Sequence, residues 1–287
     1  MTTFTKPAAA ISRRTMLNKV PEVTIYFWLI KILCTTVGET AADYLNTTLG
    51  AGLTNTTYIA GGVLVALLIA QFRLDRYVPG VYWSVVVVIS VFGTLITDNL
   101  TDHLGFSLTL TTPLFAVILA VVFATWYGVE RTLSIHTIVT RRREGFYWLA
   151  ILFTFALGTA AGDLIAEKLS LGYEVSLALF AATIGAIALA HLRFKLDPIL
   201  SFWLAYIMTR PLGASIGDEM SQRDPTYGGL GLGTTATSYV FLGLILALVT
   251  YLTVTGTDRT ELAGPQRARQ RRTRRESLRS EPAGQEA

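Results

Sequence analysis

Glu39, Asp43, Asp98, Asp163 and Asp218 all lie within or at the ends of long apolar stretches of this 287-residue chain. A carboxylate facing lipid near a bilayer centre costs about 2.5 kcal/mol or more, so such groups are expected to face a protein interior or a water-lined path. Two bases, Lys31 and Arg210, share the same stretches. Five acids against two bases leave surplus negative charge, which suits a cation path or a proton relay, with Lys31 and Arg210 as charge partners or gating groups. Hard oxygen donors of this kind suit Mg²⁺, Ca²⁺ or Mn²⁺ better than thiophilic ions, although the pattern names no metal. A plainer reading stands beside this one: Lys31 and Arg210 neutralise two carboxylates as structural ion pairs, and the Asp residues are solvated helix ends.

Most enzyme chemistry lacks its residues. His103, His136 and His191 are far apart and in no metal-ligand spacing, and Cys34 is the single cysteine. No phosphate loop or nucleophile elbow occurs, and Gly228 to Gly233 follows no strand and reads as a flexible loop. The expectation is therefore a non-enzyme with no cofactor.

The elements that must hold the carboxylates follow from a repeat. The frame Trp, nine residues, Gly, four residues, Asp occurs four times without a gap: Trp28/Gly38/Asp43, Trp83/Gly93/Asp98, Trp148/Gly158/Asp163 and Trp203/Gly213/Asp218. The residue before each Trp is aromatic as well, namely Phe27, Tyr82, Tyr147 and Phe202. With 52% hydrophobic and 15% charged residues and a mean hydropathy of +0.48, the chain is too apolar for an ordinary soluble domain. Eight spans are expected near residues 22–44, 55–72, 82–101, 108–128, 146–165, 174–193, 199–218 and 234–255, each close to the roughly 20 residues that cross a bilayer. The fold class is thus an all-α membrane protein of four parallel two-helix repeats in two similar halves. The repeats fall at about 21–75, 76–135, 140–196 and 197–255, between an arm at 1–20 and an Arg-rich, disordered tail at 256–287.

Within each first helix the Gly is followed four residues later by Ala42, Thr97, Gly162 or Gly217. This small-xxx-small spacing lets helix backbones approach closely in lipid, so Gly38, Gly93, Gly158 and Gly213 are expected to pack the four motif helices together. Basic residues concentrate in the N-terminal arm, the even-numbered loops and the tail. By the positive-inside rule both termini are cytoplasmic, which puts Trp28, Trp83, Trp148 and Trp203 at the cytoplasmic interface as amphipathic anchors. Fifteen residues of helix carry each Asp about 22 Å further, toward the outer face. Ser12-Arg13-Arg14-Thr15-Met16-Leu17 looks like a twin-arginine export signal, yet the apolar segment after it is the first repeat and is read as retained. The basic charge thus speaks of orientation and of anionic lipid headgroups near the tail, and nucleic acid is not an expected partner.

The frames, together with Thr36-Val37-Gly38-Glu39-Thr40-Ala41-Ala42-Asp43, Phe155 to Asp163 and Thr209-Arg210-Pro211-Leu212-Gly213, resemble a family of bacterial integral membrane proteins. Its members carry four tandem two-span repeats of unknown function, each marked by a tryptophan. The resemblance covers about residues 19–255 and implies an inner-membrane location, but no activity. On the residues themselves, the leading expectation is a transporter or channel for a small cation, divalent or proton-coupled. The alternatives are an organic-solute transporter that uses Arg210 or Lys31, and a non-transporting membrane scaffold or sensor.

Overall fold

A computed structural model describes residues 18–48, 50–223 and 228–258. The first seventeen residues and the tail from 259 onward, on which the export-signal and disordered-tail expectations fall, lie outside the described residues. Among the described residues there are eight long helices and no sheet: α1 (Ile25–Asp43), α2 (Leu53–Arg73), α3 (Pro79–Asp98), α4 (Leu108–Glu130), α5 (Arg141–Asp163), α6 (Tyr173–Phe194), α7 (Pro198–Ser221) and α8 (Thr234–Thr255). All eight are long and apolar enough to cross a membrane. Local chemistry fixes their starts. Thr24, Thr140 and Asp197 accept hydrogen bonds from the backbone N–H groups of Phe27, Arg143 and Leu200, and Pro79 and Pro198 open their helices without losing a donor.

The motif helices α1, α3, α5 and α7 form a closed ring in which each touches the next and α7 returns to α1. The second helix of each repeat packs chiefly on the motif helix of the following repeat: α2 on α3, α4 on α5, α6 on α7, and α8 back on α1. The repeats therefore exchange their outer helices around a quasi-fourfold axis. The outer helices leave many apolar side chains exposed, such as Val65, Val121, Leu189 and Leu246, as a surface bathed in hydrocarbon requires.

One contact recurs around the ring. A Cβ added to Gly38 would collide with Ser90, one on Gly93 with Phe155, one on Gly158 with Arg210, and one on Gly213 with Thr35. In every case the obstructing residue stands seven positions after the Trp of the next motif helix. Hydrogen bonds between helices lie beside these contacts, from Thr35 Oγ1 to Thr209 O at 3.2 Å and from Thr97 Oγ1 to Ala156 O at 3.1 Å.

At the end of the ring that carries the tryptophans, chain segments outside the spans are tied across the axis. Lys19 Nζ meets the Glu144 carboxylate at 2.6 Å with both side chains buried, and Gln71 Nε2 donates to the other carboxylate oxygen at 3.1 Å. Tyr77 donates to Asp258, and the Glu22 N–H donates to Asp258 O at 2.9 Å. Burial, and then that bond, raise the Tyr77 phenol above its ordinary range. Removing the ammonium in Lys19→Met leaves the buried carboxylate with only the amide. It is expected to cost about 2 kcal/mol, the worth of a charge-assisted bond, read as a lower melting temperature of the solubilised protein.

Candidate functional site

The site is a stack of layers along the ring axis, ordered by position after each Trp. In the first layer the residues before the tryptophans meet in two pairs, Phe27 with Phe202 and Tyr82 with Tyr147, with tryptophans beside them. The hydroxyls of Tyr82 and Tyr147 are hydrogen-bonded to each other. Trp83, Trp148 and Trp203 are at most 4% exposed; they pack inside the protein and do not face lipid headgroups as interface anchors would. Trp203 spends its N–H on Leu133 O at 3.0 Å, and only Trp28 is half-buried. The difference is physical: amphipathic rings suit both a membrane interface and the mouth of a helix ring, and the ring offered a closer-packed place.

Lys31 lies in the next layer, three residues beyond Trp28. Its Nζ sits 4.0 Å from the centre of the Phe155 ring and 4.3 Å from that of Tyr206. The side chain is 1% exposed, and its ammonium has no hydrogen-bond partner among the described residues. It is thus not paired with any of the five acids.

Arg210 crosses the axis one layer further on. Gly158 makes this path, because a Cβ there would overlap the Arg210 stem. Arg210 Nη1 donates to Thr35 O at 2.9 Å, and Nη2 to Glu39 Oε2 at 2.7 Å, to Thr159 Oγ1 at 2.7 Å and to Thr94 Oγ1. Glu39, Thr94 and Thr159 occupy the same register, eleven residues after Trp28, Trp83 and Trp148. A single guidinium group therefore faces the same position of three consecutive repeats, charged in one and hydroxylated in two. Nη2 has two hydrogens for three acceptors, so these contacts compete.

The repeat carboxylates form the last layer. Asp218 and Glu39 are buried, and Asp43, Asp98 and Asp163 are half-buried. Each of the four aspartates feels the charge of Glu39, and Asp98, Asp163 and Asp218 each also feel Asp43. Glu39 is thus central to the group. Gln222 Nε2 donates to Asp43 Oδ2 at 3.3 Å, closing the layer between the last and first repeats. Among the described residues, no three His, Cys, Asp or Glu side chains come close enough together to hold a metal ion directly.

In the first three repeats the α-helix widens into a π-type turn directly after the Asp, over Tyr44–Thr48, Asn99–His103 and Leu164–Lys168. Such turns break the regular ladder and concentrate at functional sites. Here they place Asp102 and Glu167, four residues beyond their repeat aspartates, where their charges act on Asp43. The equal spacing of Thr47, Asp102, Glu167 and Gln222 was the only available signal.

Taken together, these features define a class: a polytopic helical membrane protein of four cyclically packed two-helix repeats, with ionisable side chains on its axis. The chain belongs to the family described as Repeat of Unknown Function (DUF347), which matches it four times in tandem, over residues 26–77, 81–132, 146–197 and 201–258. No curated protein and no solved structure matches it.

Proposed function

We propose that this protein moves a small cation, divalent or exchanged for protons, across the bacterial inner membrane, with both termini and the tryptophan layer on the cytoplasmic side. The observation that carries the reading is the carboxylate layer, in which four aspartates share the field of Glu39, whose carboxylate is held by a single guanidinium. Acids gathered in a low-dielectric ring concentrate cations from the outer face. The Arg210 bridge to Glu39 would close the path beneath them and open when an arriving cation competes for Glu39. An organic-solute role for Arg210 is less favoured, because both of its terminal nitrogens already have protein acceptors. The arginines of the tail would lie against anionic headgroups of the inner leaflet.

Flux of Na⁺, K⁺, Mg²⁺, Ca²⁺ and Mn²⁺ into proteoliposomes tests the proposal. Asp43→Asn, Asp98→Asn, Asp163→Asn and Asp218→Asn are each expected to lower the flux of the transported ion by about tenfold or more, the scale on which charged clefts concentrate ions. Native rates in all four variants would remove the carboxylates from the path.

A further inference from the structure

The ring holds a second titratable group that the carboxylate layer does not use. Lys31 is buried between two aromatic faces, with no hydrogen-bond acceptor at its Nζ. Burial away from water disfavours the ammonium, whereas two ring faces favour it, so no partner locks either protonation state. A lysine serving only as structural counter-charge would be expected on one of the five acids, and Lys31 is on none of them.

Its surroundings lead toward the tryptophan end. Tyr206, whose ring it touches, has a buried hydroxyl with no protein partner. Tyr206 and Tyr147 lie within electrostatic reach of each other. Tyr147 is hydrogen-bonded to Tyr82, whose ring packs on Tyr77 at 5.5 Å, and Tyr77 donates to Asp258 just before the tail. Hydrogen bonds join Tyr147 to Tyr82 and Tyr77 to Asp258, while Lys31 meets Tyr206 through its ring face. The other charged or titratable groups around Lys31 are Cys34 of its own helix and Arg210 of α7. Helix α8 turns Tyr239 to Tyr44 and Tyr251 to Tyr26, away from it.

We propose that Lys31 is the proton-exchanging site of this protein, and that cation movement is exchanged for a proton there. The proposal rests on the cation-transport reading for its coupling, but not for the exchange itself. Each passage moves one proton. The Lys31 ammonium releases H⁺ to a water molecule, which carries it away as hydronium, and Lys31 is left as a neutral amine. The positive charge lost from the axis makes room for the cation that Glu39 and the aspartates admit.

Two readouts on the full-length native protein separate this idea from the transport reading. In proteoliposomes, an imposed pH gradient is expected to drive accumulation of the transported ion from the five-cation set. Lys31→Met and Lys31→Arg should lower the gradient-driven component by about a hundredfold, the scale of a lost proton-transfer group, because Met holds no proton and Arg does not release one. Gradient-driven uptake at the native rate in both Lys31 variants would overturn the proposal while leaving cation transport intact. If native protein carries none of the five ions, the transport reading fails, and ¹⁵N NMR of lysine-labelled protein then decides. A lysine Nζ resonance that responds to pH and disappears in Lys31→Met supports the exchanging site, and one that does not respond to pH overturns it.

Discussion

Arg210→Met should be the most damaging single substitution in the chain, lowering stability by about 3–5 kcal/mol, the usual cost of stripping one partner from a buried ion pair. Without the guanidinium, the Glu39 carboxylate stays at 7% exposure among four aspartates that all repel it. The Thr35 carbonyl loses its donor as well. Glu39→Gln should cost less, because Arg210 keeps Thr35 O and the hydroxyls of Thr94 and Thr159 as acceptors. The double variant should be more stable than Arg210→Met alone, since it leaves no unpaired Glu39 carboxylate at that level. Melting temperature and the fraction of monodisperse protein after extraction check all three. A double variant no better than Arg210→Met would mean that Arg210 acts mainly by filling the Gly158 slot.

The Arg210 network also explains why the fourfold frame is broken where it is. Its register is held by Thr35, Ser90, Phe155 and Arg210 in successive repeats. Four guanidinium groups at one level would repel each other around the axis, and four aromatic rings would block it. One long cation reaching across to Glu39, Thr94 and Thr159 satisfies the level with a single charge pair. Asymmetry of this kind allows a gate, because breaking one bridge changes the whole level.

How far the sequence disclosed this arrangement depends on what sets each feature. The spans and the repeat were readable because hydropathy over 20 residues and the Trp, Gly, Asp frame are properties of the chain itself. The exchange of outer helices was not, because the hydropathy of α2 is the same whether it lies on α1 or α3; lateral order is fixed by which residue faces each glycine. Those residues share a register but no chemical type, so no pattern marks them. The Arg210 to Glu39 pairing lay within the expected roles of both residues. Its threonine partners were hidden among many threonines that bond only to their own helix, as Thr183 does. Lys31 shared a stripe with Glu39 and Asp43 along one helix face, and only the positions of Phe155 and Tyr206 reveal that it serves a different layer.

The glycine contacts yield the second large expected effect. Gly93→Val should cost about 3 kcal/mol, at the upper end of overpacking penalties, because its new Cβ meets Phe155 Cβ at 2.6 Å and the Ala156 backbone nitrogen at 3.3 Å. A backbone atom cannot rotate away, so α3 and α5 must separate. In a closed ring that opening also strains the contacts from α1 to α3 and from α5 to α7, so the damage is not confined to one interface. Glycines of the outer helices supply the comparison. Gly62, Gly128, Gly185 and Gly243 have no atom within 4 Å of an added Cβ, so Ala there should be neutral or stabilising by up to about 1 kcal/mol through helix propensity. Melting curves of Gly93→Val and of the four Ala variants make the test. Equal losses in both groups would mean that a general intolerance of added side chains, and not close backbone approach in the ring, governs these positions; loss in Gly93→Val alone would show that the ring is held at the glycines that hold its carboxylates in register.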